Sequence, residues 1–231
     1  MSIMRFDIIT IFPRIFDSYF GESILKRAQA SKKIEIVAHN LRDYTHDKHK
    51  SVDDTPYGGG AGMVLMVGPL VKAVEAVLKQ SKLTRGGAAV DRKKEKVKIA
   101  ILSAKGKQFN QKMAYDWAKK YDRIILVSGR YEGIDERVKT ILRSEEISIG
   151  PYVLTGGEIP AMAVVDSVAR HIPGVLGKAK SLEEKRYGVG VPAYTRPKIF
   201  IYKNKKYKVP EILLSGDHKK IENWRIKHKN A

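Results

Sequence analysis

The stretch Ser148–Met162 reads SIGPYVLTGGEIPAM and places two adjacent glycines and an acid between apolar residues. An ordinary turn needs fewer special residues, and glycines allow backbone amides and carbonyls to approach a ligand closely. The loop Tyr152–Gly157 contains no cationic residue that would hold a phosphate. The segment is therefore typical of a pocket for a flat, uncharged ring system.

A second glycine cluster, PYGGGAGM at Pro56–Met63, is the nearest candidate in the sequence for a phosphate-binding loop. Its flanks mix imidazoles, cations and acids, which favours a functional loop over a flexible tip. Neither a dinucleotide fingerprint nor a P-loop motif occurs. His46 and His49 lie three residues apart, but the chain has no cysteine and no obvious further ligands, so we predict no metal site.

Alternating strand and helix patterns predict an α/β fold with a parallel sheet flanked by helices. Three glycine-containing loops follow three of the expected strands, so all three are expected at the same edge of the sheet, where ligands bind in such folds. These loops are Leu102–Gly106, Ser128–Gly133 and Ser148–Gly157. The strands are expected at Met4–Phe12, Ile34–His39, Val97–Leu102, Arg123–Ser128 and Glu146–Ile149. The helices are expected at Phe16–Ala30, Leu70–Gln80, Phe109–Tyr121 and Ile159–His171.

Composition indicates a polyanionic partner. The 231 residues include 44 Lys and Arg against 25 Asp and Glu, a net charge of +19. Residues 175–231 alone carry 15 basic and 5 acidic side chains, whereas residues 1–80 carry 11 and 9. A nearly neutral body with a basic C-terminal quarter is typical of nucleic-acid binding. No signal peptide or membrane span is expected, because no apolar run is long enough.

The charge pattern and the glycine and proline positions predict three regions. Residues 1–174 form the α/β domain, interrupted by a charged surface excursion at Ser81–Lys96. Residues 175–197 form a linker, and residues 198–231 form a small, basic, mostly helical module.

The order of motifs resembles one known family. THDKHKSVDDTPYGGGAGM, GRYEGIDERV, SIGPYVLTGGE, IPGVLG and YTRP occur in order, and the similarity runs from IITIFP to LLSGDHKKIENWR. In these motifs the sequence is similar to the bacterial tRNA (guanine-N1)-methyltransferases, the TrmD family of the SPOUT class. The resemblance implies a deep trefoil knot, a homodimer, a cytoplasmic location and no membrane partner.

The resemblance also implies that S-adenosylmethionine binds in the knot. The implied cofactor residues lie in the three strand-end loops. They are Leu102, Ser103, Gly129, Tyr131, Glu132, Gly133, Ile149, Gly150, Pro151, Tyr152, Val153, Leu154, Gly156 and Gly157. Pro151 and Ala104 stand where the family commonly has an aspartate and a proline, which a pocket lined by backbone tolerates.

The implied substrate is guanine at tRNA position 37, methylated on N1, next to a guanine at position 36. Asp53 matches the residue tied to the neighbouring guanine, and the loop with Tyr57, Gly58 and Gly59 would approach the target nucleotide. The C-terminal module of one subunit would grip the tRNA bound by the other. This module is abbreviated relative to the family, which affects the tRNA grip more than the reaction.

Two catalytic roles follow from the resemblance. Arg170 matches the family's catalytic arginine and would stabilise charge on O6 of the guanine. The family's proton-accepting aspartate falls in a segment that here reads SLEEKRYG. We expect Glu184 to be the base, with Glu183 and a lysine of lowered pKa, Lys185, as the alternatives; Lys185 is also expected to contact the tRNA.

Two other functions compete with this one. A knotted RNA-binding protein without catalysis is the first, motivated by Lys185 at the aspartate position. A ribose methyltransferase of the same superfamily is the second, and the segments specific to the guanine-N1 group disfavour it.

Overall fold

The computed structural model describes residues 3–80, 95–177 and 190–229. The expected excursion at Ser81–Lys96 lies mostly outside these residues. The chain forms two compact units, Met1–Leu176 and Gly177–Ala231. Within the described residues, no helix is both long enough and apolar enough to cross a bilayer.

A five-stranded, fully parallel sheet forms the centre of the first unit, with strand order β2-β1-β6-β5-β7. A separate antiparallel pair, β3 with β4, carries the glycine cluster. The strands are β1 (Met4–Thr10), β2 (Ile34–Asn40), β3 (Asp53–Asp54), β4 (Val64–Leu65), β5 (Val97–Gln108), β6 (Arg123–Ser128) and β7 (Glu145–Ser148). The helices of this unit are α1 (Asp17–Phe20), α2 (Ser23–Ala30), α3 (Val67–Lys79), α4 (Gln111–Lys120), α5 (Arg137–Ile141) and α6 (Glu158–Ala169).

The strands are apolar on both faces because helices cover both faces of the sheet. Along β1, Phe6 and Ile8 point into a core built with α1, α2, α4 and α6. Ile9, from the opposite face, joins a second core built with α3 and α5. The predicted α/β class is therefore confirmed.

Two elements differ from the expectation. The predicted helix Phe16–Ala30 is wrong as a continuous helix, because α1 and α2 are separate. The chain turns at Gly21, where a Cβ would lie 2.5 Å from the Asp17 carbonyl oxygen, and at Ser23, whose φ is 49°. β5 continues beyond its expected end at Leu102 to Gln108.

The second unit contains a β-hairpin that the expectation of a mostly helical module missed. β8 (Ile199–Tyr202) pairs antiparallel with β9 (Lys205–Lys208), and all eight residues are exposed. A 3-10 turn (Glu211–Leu214) and α7 (His218–Lys227) follow. The side chain of Asp217 caps α7 by accepting a hydrogen bond from the Lys220 amide at 3.1 Å.

Candidate active site

A cavity of about 380 Å³ lies at the carboxyl edge of the sheet, where β5, β6 and β7 end. A bulge within β5 and the loops that follow β6 and β7 form its walls, so the expected loop Leu102–Gly106 lies inside β5 and does not follow it. The parallel direction of the strands produces this convergence, because it places all three strand ends at one edge. The volume falls within the range of pockets that bury a small ligand.

The first wall is a bulge in β5. Ile147 of β7 pairs with both Leu102 and Lys107, so the segment Ser103–Gly106 loops out between two pairings. Gly106 lies against β7, and a Cβ on it would come within 2.5 Å of the backbone nitrogen of Ile147. Only glycine fits at this crossing, and the looped-out segment is thereby free to line the cavity.

The second wall, the loop after β6, holds a strained backbone. Tyr131 has a φ of 59° and Gly133 a φ of 131°. A bulky residue rarely adopts a positive φ, and such outliers cluster at ligand sites. The Gly133 amide donates to the Arg130 carbonyl at 3.1 Å, which closes the turn and presents Tyr131, half exposed, to the cavity.

The third wall explains the adjacent glycines of the TGGE motif. A Cβ on Gly157 would lie 2.7 Å from the Cα of Ser128, and one on Gly156 would overlap the Arg130 side chain. The Gly157 amide donates to the Gly129 carbonyl at 2.8 Å. The two glycines therefore let this segment pass directly against the end of β6.

The cavity gathers nearly all of the residues expected to contact the cofactor. Pro151 is the exception, because it is exposed and does not line the cavity. The expected residues that do line it are Leu102, Ser103, Gly129, Tyr131, Glu132, Gly133, Ile149, Gly150, Tyr152, Val153, Leu154, Gly156 and Gly157.

Among the charged side chains that border the cavity, four that the sequence did not single out form one cluster. The Lys105 ammonium donates to Glu136 at 2.8 Å and lies 3.4 Å from Glu146, while Lys139 donates to Glu146 at 2.7 Å. Burial alone would raise the pKa of Glu146, but hydrogen bonding and charge from Lys139 and Lys105 lower it. The hydrogen bond to Glu136 raises the pKa of Lys105. These pairs tie the β5 bulge to α5 and β7.

A second charged pair lies beneath the cavity. Glu158, the first residue of α6, is 1% exposed, and its two carboxylate oxygens accept hydrogen bonds from Thr10 at 2.8 Å and Arg130 at 2.9 Å. Arg130 also donates to the Thr155 carbonyl at 3.2 Å, and its guanidinium lies 4.8 Å from the Phe12 ring centre. The sequence offered one signal for this pair. The acid in TGGE and the arginine in GRYEG each directly adjoin a glycine of the cavity wall.

The hairpin β3–β4 is bonded to the rim of the cavity. The Glu132 amide donates to the Met63 carbonyl at 3.0 Å, and the Leu65 amide donates to the Gly133 carbonyl at 3.0 Å. A Cβ on Gly62 would collide with the Glu132 side chain. The glycine loop and the loop after β6 therefore form one structure.

The expected tRNA residues of this hairpin lie at its base and tip. Asp53, at the base, is half-buried, while Tyr57, at the tip, is fully exposed. Gly58 and Gly59 have φ values of 90° and 78°, and a Cβ on either would meet no atom within 4 Å. These two positions therefore favour glycine because of their positive φ and not because space is short. The loop is open to an approaching ligand.

Arg170, one of the expected catalytic residues, is not brought to the cavity of this chain. Arg170 follows the last residue of α6, is half-buried and does not line the cavity. Because α6 has 12 residues and its N-terminal end lines the cavity, Arg170 lies roughly 18 Å farther along the helix axis. Glu184 lies outside the described residues, as do Glu183 and Lys185.

Acidic and imidazole side chains do not gather into a metal-binding set of three anywhere in the described ranges 3–80, 95–177 and 190–229. His46 and His49 are both exposed. Their turn is held instead by Asp47, whose carboxylate accepts hydrogen bonds from the Ser51 amide at 3.0 Å and the Ser51 hydroxyl at 2.9 Å.

Comparison with known proteins assigns the chain to a family. Residues 4–231 match the family model for tRNA (Guanine-1)-methyltransferase TrmD. A tRNA (guanine-N(1)-)-methyltransferase from Dictyoglomus turgidum is 50% identical over 228 residues, 97% of this chain and 84% of the relative. Relatives of the same name from Thermomicrobium roseum and Clostridioides difficile are 51% and 46% identical over 225 residues each, 96% of this chain and 77% and 90% of theirs. This chain therefore belongs to the tRNA (Guanine-1)-methyltransferase TrmD family.

Proposed function

We propose that this protein transfers a methyl group from S-adenosylmethionine to N1 of guanine in tRNA, at position 37 beside the anticodon. One observation carries the proposal. The glycine-loop hairpin is hydrogen-bonded to the rim of the strand-end cavity, so a nucleotide on the hairpin lies beside a ligand in the cavity. The family membership of the chain agrees with this reading.

The cavity fits the methyl donor in size and lining. Its wall of glycine backbone and apolar side chains suits an adenine ring, and Gly157 and Gly106 make crossings that any larger residue would block. Tyr152, Val153 and Leu154 would hold the ring, with Ser103 and Glu132 at the polar end. When bound, S-adenosylmethionine supplies an electrophilic methyl group on a sulfonium. We also propose that this part of the chain is the trefoil knot of the SPOUT class.

The hairpin would hold the RNA. Asp53 presents a half-buried carboxylate that can accept two hydrogen bonds from the N1 and N2 edge of a guanine. Tyr57, fully exposed at the tip, offers a ring on which an unpaired base can stack. We assign Asp53 to guanine 36, and Tyr57, Gly58 and Gly59 to the flipped target nucleotide.

The cavity of its own chain lies roughly 18 Å from Arg170 along α6. Arg170 therefore comes near the reacting guanine only if it is contributed by a second copy of the chain. α6 is apolar around most of its circumference, which is typical of a helix buried on all sides. Ile159 on α6 and Phe12 and Ile15 nearby are nevertheless exposed. We infer that a second copy covers this face, forming a homodimer in which the Arg170 of one subunit stabilises developing charge on O6.

A base must remove the N1 proton. We retain Glu184 for this role, with Glu183 as the first alternative. A protonated Lys185 cannot accept a proton, so it would serve as base only with a lowered pKa, and otherwise contacts the tRNA.

The second unit would grip the tRNA. The segment Lys198–Pro210 contains five lysines and no acid. Its hairpin contains four of these lysines together with exposed Phe200, Tyr202 and Tyr207, a combination suited to phosphates and unpaired bases. We propose residues 175–197 as the linker to this module, and the cytoplasm, where tRNA is modified, as the site of action.

The test is transfer of labelled methyl groups from S-adenosylmethionine to a tRNA transcript with guanine at positions 36 and 37. We expect incorporation at N1 of guanine 37, strongly reduced when position 36 is adenine. Glu184→Gln and Lys185→Ala, run beside the unmodified protein, separate the candidate bases. An unmodified protein that binds tRNA without methylating it would contradict the proposal and leave an RNA-binding protein.

A further inference from the structure

Glu158 is a buried carboxylate that, among the residues that the structure describes, forms its ion pair with Arg130. It is 1% exposed, and its hydrogen-bond partners are Arg130 and the hydroxyl of Thr10. A buried carboxylate is costly unless it is paired and hydrogen-bonded. The start of α6, which favours a negative charge, adds to its stabilisation. Glu158 therefore fixes Arg130 in one place.

Arg130 in turn connects two loops of the cavity wall with each other and with the chain beyond β1. It belongs to the loop after β6, it donates to the Thr155 carbonyl at 3.2 Å, and it lies over the ring of Phe12 beyond β1. The backbone of Gly156 passes so close that a Cβ there would overlap the Arg130 side chain. Moving the Arg130 side chain would thus remove the side-chain contacts between the loop Ile149–Gly157 and the loop after β6, and would leave the backbone hydrogen bond from Gly157 to Gly129 to join them.

We propose that Arg130 and Glu158 form a clamp that positions the two loops of the methyl-donor pocket, acting through the backbone of Thr155–Gly157. This inference rests on the proposed function, because it takes the cavity to be the donor pocket. Arg130 borders the cavity, and we assign it a positioning role because its Nε donates to Glu158 and its Nη1 donates to the Thr155 carbonyl. Loss of the clamp is therefore expected to weaken donor binding more than it slows the methyl transfer.

The test compares Glu158→Gln, Arg130→Lys and Arg130→Ala in the full-length protein. Binding of S-adenosylhomocysteine is measured by calorimetry, and kcat and the KM for S-adenosylmethionine are measured with tRNA. A hydrogen bond to a buried charge is worth about 1.5–3 kcal/mol, so we expect the Kd to rise about 10- to 100-fold in Glu158→Gln. We expect kcat to stay within about threefold, and Arg130→Lys to bind better than Arg130→Ala because it keeps the charge.

Asp7→Asn is the matched control, because Asp7 is a buried, arginine-paired carboxylate that does not line the cavity. The control is expected to lower stability without changing the Kd of the folded protein. If Glu158→Gln fails to fold, Thr10→Val removes one hydrogen bond of the same carboxylate and keeps its ion pair.

The outcomes separate the clamp from the proposed function. Unmodified protein that binds S-adenosylhomocysteine, with clamp variants that bind it equally well, would overturn the clamp alone. A fall in kcat at unchanged Kd would also overturn it, because the pair would then act on the reaction. Unmodified protein that does not bind the probe would overturn the proposed function and the clamp together.

Discussion

Asp7 and Glu158 are two buried carboxylates near the same strand. They differ in which parts of the structure their hydrogen-bond partners connect. Asp7, in the middle of β1, has no exposed surface and contacts Arg5 at 2.8 Å, Arg123 at 2.7 Å and His39 at 2.7 Å. Glu158 bonds to the last residue of β1 and to one arginine. Within the described part of the chain, Asp7 has three cationic or imidazole partners and Glu158 has one.

The partners of Asp7 lie in regular elements. Arg5, His39 and Arg123 belong to β1, β2 and β6, three adjacent strands. Arg123 also donates to the Val77 carbonyl at 2.8 Å and the Gln80 carbonyl at 3.2 Å, at the C-terminal end of α3. This cluster therefore joins the sheet to a helix, and none of its members lines the cavity.

The partner of Glu158 lies in a loop at the open edge of the sheet. A strand inside a sheet is held by its neighbours, whereas a loop at the edge depends on a few side-chain contacts. The same pairing chemistry is therefore expected to control stability at Asp7 and ligand binding at Glu158. The location of the partner decides which property each carboxylate controls.

The largest effect on stability is expected when the charge of Asp7 is removed. Asp7→Asn leaves Arg5 and Arg123 buried with less compensating charge, and we expect the free energy of unfolding to fall by about 3–5 kcal/mol. Urea unfolding followed by circular dichroism measures the change. A loss of less than about 1 kcal/mol would show that the cluster does not hold the sheet to α3.

The pH dependence of stability tests the charge of Asp7 directly. Burial alone would raise the pKa of Asp7, but hydrogen bonds from His39, Arg5 and Arg123 lower it to about 2. A lowered pKa in the folded protein gives stability that is present above the unfolded pKa of about 3.9 and is lost as the pH falls toward 2. We expect roughly 2 kcal/mol of the difference between unmodified protein and Asp7→Asn to disappear between pH 4 and pH 2, measured by urea unfolding at each pH. A constant difference across that range would contradict the assignment.

Gly157→Ala tests whether packing at the open edge affects stability and binding together. The new methyl group would lie 2.7 Å from the Cα of Ser128, and overpacking of this kind costs about 1–3 kcal/mol. We expect both the free energy of unfolding and the affinity for S-adenosylhomocysteine to fall, by thermal unfolding and calorimetry. Gly68→Ala is the control, because Gly68 lies in α3 with no atom within 4 Å of the added Cβ, and it should stabilise the protein by about 0.5–1 kcal/mol. Equal effects of the two substitutions would refute the close crossing.

Tyr57→Ala isolates binding from stability. Because Tyr57 is fully exposed, we expect its loss to change the free energy of unfolding by less than about 0.5 kcal/mol. Base stacking on an aromatic ring is worth about 1–3 kcal/mol, so tRNA affinity should fall at least about fivefold in a filter-binding assay. Tyr57→Phe keeps the ring and should bind as the unmodified protein does; if it binds as weakly as Tyr57→Ala, stacking is not the role of the ring.

Much of the fold could be predicted from residue patterns because buried parallel strands are continuous apolar runs. The bounds expected for Arg123–Ser128 are those observed, and the strand expected at Ile34–His39 extends by one residue. The residue patterns did not predict the bounds of an element where a tertiary contact decides the path of the backbone. The length of β5 depends on its second pairing with β7 after the bulge, and that pairing leaves no signal in the local sequence.

The sequence alone determined the glycine-rich loops, the chain order of the five strands of the parallel sheet, the basic C-terminal quarter and the resemblance to a family, because each depends on residue types along the chain. Only the tertiary structure decided that Arg130 meets Glu158 at the wall of the cavity, that the β3–β4 hairpin bonds to its rim, and that the N-terminal end of α6, far from Arg170, lines the cavity. Those relations join residues distant in sequence. They depend on how the strands cross and pair, which the order of residue types does not reveal.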